Sequence, residues 1–242
     1  MDKLNFPTET VELPSKGLIY PTDHPLRSGK VEIKYMTAKE EDILTNQNYI
    51  NKGTVLDKLL ESLIMDKFDV SNIHVGDKNA LLIAARVLGY GKDYEFKYKD
   101  ETYTVDLSKV DNKPFDESLL DSEGHVTFTL PSSENKVKFK FLTDKEEDQI
   151  EKEVASMQKI NKRGAGEITT RLKYTIVSVE GSSDKNEIKN FVENYLLASD
   201  SRALRTYIKE ISPDVDLSFT TNDGEEAIIP ITISFFWPDI VL

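Results

Sequence analysis

The sequence predicts an α+β protein made of two related units, each with a strand, a group of helices and a β-hairpin. Three observations support this fold class. Apolar and polar residues alternate in several short segments, which is the period of a half-buried strand. Other segments carry apolar residues at the three- and four-residue spacing of an amphipathic helix. Finally, residues 137–148 repeat the pattern of residues 31–42, which indicates an internal duplication.

The first 30 residues are predicted to form an extended arm. Four prolines and two glycines fall within them, and proline interrupts both helices and sheet ladders. The segment at residues 11–21 places apolar side chains among turn-forming residues. Two placements of this arm are open, on its own domain or on a neighbouring protein.

The first α+β unit is predicted at residues 31–115. Apolar and charged residues alternate over residues 31–35, which indicates a strand. Thr37 and Glu40 have the spacing of a capping box, in which each side chain accepts a hydrogen bond from the other residue's backbone, so a helix should begin near Thr37. An apolar stripe at residues 55–64 predicts a second helix.

This unit is predicted to end with a third helix and a hairpin. Asp77 is a candidate N-cap, because its side chain can accept from a free backbone amide, and Gly89 is a candidate helix stop. Residues 94–98 and 102–107 are then predicted as two strands around a short polar turn.

An acidic linker at residues 116–125 is predicted to join the first unit to a second one at residues 126–242. The second unit repeats the strand and the capping box, now at Thr143 and Glu146. Asp200 then opens a helix with a pattern similar to that of the third helix in the first unit. The other predicted elements are helices at residues 145–162, 168–179 and 185–197 and a hairpin of residues 214–219 and 228–234.

The composition excludes several kinds of site. The chain has no cysteine, which rules out disulfides, thiolate metal sites and a cysteine nucleophile and suits a reducing cytosol. No segment has the character of an export signal or a membrane span, so no membrane association is expected. The net charge of −12 repels phosphate backbones, so no nucleic-acid binding is expected. The candidate basic cluster, Lys159, Lys162 and Arg163, is interpreted as a solvated helix end.

The patterns of a catalytic site are also missing from the sequence. It contains neither a nucleophile elbow nor a phosphate-binding P-loop. Its histidines, His24, His74 and His125, are far apart and have no second ligand at helical spacing, so each is interpreted as a surface or loop residue. Acidic triplets begin at Glu40 and Glu146, in the first turns of predicted helices, where the helix dipole stabilises negative charge. We therefore expect no enzyme activity, no metal and no cofactor.

The C-terminal segment at residues 233–242 is unusually apolar. Two interpretations are open. The segment packs on its own domain, or it presents an aromatic anchor to a partner, since tryptophan and phenylalanine often dominate interface energy.

Six short motifs occur along nearly the whole chain. They are LPSKGLIYP at residues 13–21, the strand and Thr-x-Lys-Glu-Glu segment from Val31, VGD at residues 75–77, Arg86 with GYG at residues 89–91, VDL at residues 105–107 and FFWP at residues 235–238. In this order and spacing they resemble the T4-type phage baseplate proteins. That family includes the hub subunit and the hub assembly catalyst of contractile-tailed phages.

The resemblance implies a non-enzymatic role in building the central baseplate hub through protein–protein contacts. The chain would be either a part that stays in the virion or a factor that helps hub proteins assemble in the host cytoplasm. Its implied partners are other hub and tail proteins or a second copy of the chain. Many relatives carry cysteine pairs in their β-ribbons that suit zinc, but this chain has Lys99 and Asp100 in one corresponding turn and Asn222 and Asp223 in the other, so zinc is not carried over.

We expect the partner contacts to involve the arm and the C-terminal segment. The predicted contact residues are Leu13, Leu18, Ile19, Tyr20, Phe235, Phe236 and Trp237. The alternative function is that of an adaptor or regulatory protein-binding domain in a bacterial cytosol, with the same fold. Co-purification or the identity of neighbouring genes would separate the two.

Overall fold

The computed structural model describes residues 7–160 and 166–236. The predictions for Lys162, Arg163 and Trp237 therefore lie outside the described residues. Within the described ranges the chain combines helices with small antiparallel sheets, which confirms the predicted α+β class. None of the helices in these ranges has both the length and the apolar character needed to cross a membrane.

The strands pair in small antiparallel sheets. They are β1 (Thr8–Glu12) with β2 (Lys30–Lys34), β3 (Asp93–Tyr98) with β4 (Glu101–Asp106), the sheet of β5 (Val126–Thr129), β6 (Lys136–Phe139) and β7 (Ile176–Val179), and β8 (Ser218–Thr220) with β9 (Glu226–Ile228). No strand in the described ranges is parallel to its neighbour, so the paired strands run in opposite directions.

The helices lie between and after these strands. They are α1 (Ala38–Leu44), α2 (Gln47–Asn51), α3 (Val55–Leu63), α4 (Val75–Tyr90), α5 (Asp144–Ile160), α6 (Glu167–Thr175), α7 (Lys185–Asn194), α8 (Ala198–Ile211) and α9 (Ile233–Phe236). Short 3₁₀ turns occur at Pro25–Ser28, Val70–Asn72, Leu107–Lys109 and Glu117–Leu119.

The two predicted capping boxes are both present. The backbone N of Thr37 donates to Glu40 Oε2 at 2.8 Å where α1 begins. The backbone N of Thr143 donates to Glu146 Oε2 at 3.1 Å where α5 begins. In each half a lysine just before the box also pairs with the same glutamate. The strand, the box and the helix therefore have the same local arrangement in both halves.

A second repeated arrangement is a Leu-Pro-Ser loop held by a buried aspartate. Asp77 Oδ1 accepts from the backbone N of Ser15 at 3.0 Å, and Asp200 Oδ1 accepts from the backbone N of Ser132 at 2.7 Å. Each aspartate is the third residue of its helix, and each is fully buried. The two Leu-Pro-Ser segments, at residues 13–15 and 130–132, are visible in the sequence. More residues separate the first one from the strand that follows it, so the two segments do not have the same sequence offset as the two capping boxes.

The N-cap of α4 differs from the prediction. His74, not Asp77, is the N-cap, and His74 Nδ1 accepts from the backbone N of Gly76 at 3.3 Å. The side chain of Asp77 is drawn away from the helix end by its contact with Ser15. The Asp77 carboxylate thus accepts hydrogen bonds from the distant Ser15 and not from a backbone amide at the start of α4.

Two predicted element boundaries are also wrong. Residues 176–179 form β7 instead of continuing the preceding helix, because Val179 and Ile176 pair with β6. The strand predicted at residues 228–234 ends at Ile228, and α9 follows it. Their apolar side chains suit either structure, so sequence period alone does not decide between helix and strand.

The predicted arm lies on the chain's own domain over the part that the structure describes. β1 pairs with β2 from Thr8 to Glu12. Leu13, Tyr20 and Leu26 are buried in the core. The arm therefore contributes side chains to the core, and its backbone forms one strand of a two-stranded sheet.

Buried apolar residues form two main cores. The first contains residues of β2, β3, α1, α3 and α4, and the second contains residues of β5, β6, β7, α6, α7 and α8. The end of the described chain returns to the first core through Val215, Ile229, Phe235 and Phe236. The second hairpin lies beside the first, where the ring centroids of Phe219 and Phe96 are 5.0 Å apart. The linker boundary at residues 116–125 stays a prediction.

The two cores meet where α4 begins. His74 and Thr143 form an isolated antiparallel bridge, and the backbone N of Asp144 donates to Ile73 O at 2.9 Å. Lys78 Nζ lies 2.7 Å from Asp144 Oδ2. These contacts join the start of α4 to the start of α5.

Candidate partner-binding surfaces

The loop at residues 13–21 is held on its buried side by hydrogen bonds to Asp77. Ser15 Oγ and Tyr20 Oη donate to Asp77 Oδ2 at 2.6 and 2.7 Å, and the backbone N of His74 donates to Tyr20 Oη at 2.9 Å. Burial raises the pKa of Asp77, and burial beside Asp77 raises the pKa of Tyr20. The loop is thus fixed by hydrogen bonds that are shielded from water.

The backbone of the same loop is also fixed on its outer side. Arg27 Nη1 donates to Leu18 O at 2.7 Å and to Tyr20 O at 3.0 Å. Gly17 has a φ of +77°, and a Cβ there would meet the backbone oxygen atoms of the turn at residues 26–27. Leu18 and Ile19 are therefore presented from a backbone with little freedom to move.

The structure places the predicted contact residues in three different environments. Leu13, Tyr20, Phe235 and Phe236 are buried in the chain's own core. Leu18 and Ile19 are half-buried, and Trp237 lies outside the described residues. Partner binding through this set stays a prediction, and of its described members only Leu18 and Ile19 keep appreciable accessible surface.

The described part of the C-terminal segment packs against α4 and the first hairpin. Arg86 Nε donates to Phe235 O at 2.8 Å, and the ring centroids of Tyr94 and Phe235 are 4.7 Å apart in an edge-to-face arrangement. The Arg86 guanidinium also donates to Gly91 O at 2.8 Å. The arginine and the aromatic rings together fix the short helix α9 on the first core.

All three histidines line one groove, although they are far apart in the sequence. The groove has a volume of about 470 Å³ and lies beside Lys140 and Phe141. His24 and His74 each use Nδ1 as a helix N-cap acceptor. Burial lowers the pKa of His74 to about 4, so the ring is neutral near pH 7. Two of the three rings therefore have structural roles.

A turn at the edge of this groove brings three metal-ligand types together. One ligand atom each from Asp121, Glu123 and His125 lies within 4.8 Å of the others. However, Asp121 Oδ1 accepts from the backbone N of both other residues at 2.9 Å, and Asp121 Oδ2 lies 2.8 Å from Lys138 Nζ. Burial alone would raise the pKa of Asp121, but these hydrogen bonds lower it to about 2. The carboxylate is thus a turn anchor that is held by three hydrogen bonds within the chain.

A second cleft lies on the other side of His74, between the two cores. It has a volume of about 330 Å³. Its walls combine apolar side chains with four cationic ones, Lys140, Arg171, Arg205 and Lys209, and two acidic ones, Glu147 and Asp214. Sequence reasoning missed this cleft because its cations come from segments up to about 70 residues apart, which the fold alone brings together.

The chain was compared with family models, curated proteins and solved structures. The family model described as T4 bacteriophage base plate protein matches residues 7–236 of the chain. No curated protein and no solved structure shows a significant match. The matched range includes both cores and every helix and strand described above.

Proposed function

Because the chain belongs to the family of T4 bacteriophage base plate proteins, we propose that it acts in the central hub of a contractile-tail baseplate. The observation that carries this proposal is the extent of the family match, which includes both cores. We propose further that the chain works through protein–protein contacts and catalyses no reaction. Its partners would be other hub and tail proteins or a second copy of the chain.

The two halves are proposed to be copies of one ancestral unit that offer related surfaces to the hub. Support comes from two arrangements that each occur twice, the capping box with its lysine and the Leu-Pro-Ser loop with its buried aspartate. The box is a local contact between residues three apart, whereas the loop contact joins residues 62 and 68 apart in the sequence. A duplicated unit gives a hub protein two similar docking faces in one chain.

The first contact surface that we propose is the loop at residues 13–21. Its accessible side chains, Leu18 and Ile19, lie on a backbone held by Asp77 and Arg27. A loop that is already ordered loses less conformational entropy on binding. Leu18 is the better probe of the two, because Ile19 also packs against both cores.

Mass spectrometry of purified virions and of tail assembly intermediates tests the proposed role. A constant copy number in virions would identify a hub component. Presence only in intermediates, together with arrested tails when the gene is deleted, would identify an assembly factor. Absence from both samples, with normal tails in the deletion, would contradict a hub role.

A surface substitution tests the proposed loop contact. We expect Leu18→Asp in the tagged full-length chain to reduce the recovery of hub proteins from phage-infected cells at least fivefold. The matched control is Ile228→Asp, which changes an aliphatic residue of β9 that is 68% exposed. Thermal melts would confirm that both variants fold. Equal recovery with both variants would remove the loop from the proposed interface.

A further inference from the structure

We propose that the cationic cleft between the two cores binds an acidic segment of a partner protein that carries a large apolar side chain beside its carboxylates. The proposal relies on the function proposed above only for the origin of the partner. The nature of the ligand follows from the cleft itself.

The floor of the cleft is apolar. Phe141, Leu142, Leu172, Ile208 and Pro213 line it. A volume of about 330 Å³ falls at the lower end of the range of about 300–1,000 Å³ that is usual for ligand sites. The cleft is therefore large enough for one bulky side chain, and burying that side chain against these residues would be favourable.

The rim of the cleft carries two cations without carboxylate partners. Lys140 pairs with Glu146, and Arg171 pairs with Glu147. The acidic residues of the cleft are engaged with other side chains, Glu147 with Arg171 and Asp214 with Asn79 and Lys113. In the part of the chain that the structure describes, no aspartate or glutamate pairs with Arg205 or Lys209 on α8. Two positive charges thus remain available at the mouth of an apolar cavity.

Helix stability does not explain both of these cations. Arg205 and Lys209 are one turn apart, a spacing at which like charges repel. Lys209 lies in the last turn of α8, where the helix dipole favours a cation. Arg205 lies in the middle of α8, and among the described residues its hydrogen bond is made by Nε, which donates to Ser201 O at 3.3 Å. Its two terminal nitrogens are available for a carboxylate, which a guanidinium can bind in a two-pronged geometry.

The charge of the chain favours a protein ligand over a nucleic acid. A net charge of −12 repels a phosphate backbone that extends beyond the cleft. A peptide needs to place only one or two carboxylates at the rim and can fill the floor with a neighbouring apolar side chain. The combination of an apolar floor and a small cationic rim therefore fits an acidic-apolar peptide segment.

Fluorescence anisotropy with a defined probe tests the proposal. The probe is an end-capped, fluorescein-labelled seven-residue peptide that carries one glutamate on each side of a central phenylalanine and otherwise neutral residues, and the matched peptide has lysine in place of glutamate. We expect saturable binding of the acidic peptide by the full-length chain and at least tenfold weaker binding of the lysine peptide. Equal affinities for both peptides, or no saturation at millimolar protein, would overturn the proposal.

Paired charge reversals locate the site. Arg205→Glu with Lys209→Glu should raise the Kd of the acidic peptide at least tenfold. The control is Lys185→Glu with Lys189→Glu on α7, where two exposed lysines are also one turn apart; its Kd should change less than twofold. If the α8 pair does not fold by thermal melting, Arg205→Gln alone should still raise the Kd at least threefold. Similar losses in both pairs would show a nonspecific charge effect and overturn the assignment.

Two further outcomes separate the alternatives. Inorganic pyrophosphate that binds more tightly than the peptide and displaces it would show a phosphate site and overturn the proposal. Peptide binding uses the purified chain alone, whereas the hub role is tested in virions. Loss of the peptide-binding proposal would therefore leave the hub role standing, and loss of the hub role would leave the peptide-binding result standing.

Discussion

The carboxylate of Asp77 connects parts of the chain that are distant in sequence. It accepts hydrogen bonds from Ser15 and Tyr20, and Tyr20 accepts from the backbone N of His74. One side chain thus holds the start of α4 against the Leu-Pro-Ser loop. Leaving the buried partners of such a group unsatisfied costs about 1–3 kcal/mol each, so this residue should strongly affect stability.

We expect Asp77→Asn to lower the free energy of unfolding by about 2–3 kcal/mol, because the amide nitrogen cannot accept from the two hydroxyl groups. Tyr20→Phe removes the bond to Asp77 and also the acceptor for the backbone N of His74, and should lower it by about 1–3 kcal/mol. Urea denaturation followed by circular dichroism measures both. Because the residues share one network, the double variant should lose less than the sum. Full additivity would show that the two act independently.

Gly76 marks the closest backbone approach at the junction of the two cores. A Cβ at Gly76 would overlap the carbonyl oxygen of Pro213 and lie 2.8 Å from Asp214 Cα. For a Cβ at Gly89, in the same helix, the nearest atoms belong to the side chain of Met36, whose Sδ is 2.8 Å away and can move. The two glycines of α4 therefore differ in how rigid their neighbours are.

We expect Gly76→Ala to lower the free energy of unfolding by about 1–3 kcal/mol, since packed backbone must shift. Gly89→Ala, the matched control, should stay within about 1 kcal/mol of wild type, because the gain in helix propensity offsets the movement of Met36. Chemical denaturation of both variants gives the comparison. A Gly89→Ala loss as large as that of Gly76→Ala would contradict this account.

At the scale of elements, the first capping box also carries a buried ion pair. Glu40 accepts from Thr37, from Ser62 and from Lys34, whose Nζ lies 2.8 Å from Glu40 Oε1. Burial opposes the charge, but these hydrogen bonds together lower the pKa of Glu40 from 4.5 to about 2. The box therefore links strand β2, helix α1 and helix α3.

The low pKa of Glu40 makes the stability depend on pH. Between the ordinary value of 4.5 and the folded value of about 2, the unfolded chain binds more protons at this residue than the folded chain does. We expect this contribution to be complete above pH 4.5 and to be lost as the pH falls towards 2. Glu40→Gln should be less stable at pH 7 and should show a shallower loss across that window. Urea midpoints at several pH values measure this, and parallel curves for the two proteins would exclude Glu40 as the source.

The first hairpin is determined by residues that are close together in the sequence. Lys99 and Asp100 both have positive φ, which is the turn geometry that matches the twist of two antiparallel strands. The strands on either side pair in register from Asp93–Asp106 to Tyr98–Glu101. The sequence predicted this hairpin because all its determinants lie within about 14 residues.

At the scale of the whole molecule, the C-terminal segment completes the first core. Phe235 and Phe236 are fully buried there, beside residues of α4 and β3. The first core therefore needs side chains that are more than 100 residues away in the sequence. Neither half should reach full stability without the other.

We expect a fragment of residues 1–115 to lack a cooperative unfolding transition, because it has no side chains to fill the space of the C-terminal segment. In the full-length chain, Phe235→Ala should lower the free energy of unfolding by about 3–5 kcal/mol. Ile228→Ala, which changes an exposed residue, is the control and should change it by less than about 0.5 kcal/mol. A cooperative transition in the fragment, with native-like near-ultraviolet circular dichroism, would show that the first core is independent.

The sequence by itself determined the α+β class, both capping boxes, the first hairpin and the family resemblance. These depend on contacts between residues that are close in the chain, or on motif order, and both can be read without coordinates. The tertiary structure decided that residues 176–179 form a strand, that Asp77 is a buried anchor and that three distant histidines share a groove. It also decided that the C-terminal segment closes the first core. These features depend on contacts between segments that are far apart in the chain, and such pairings are set by the packing of the whole molecule and not by local preference.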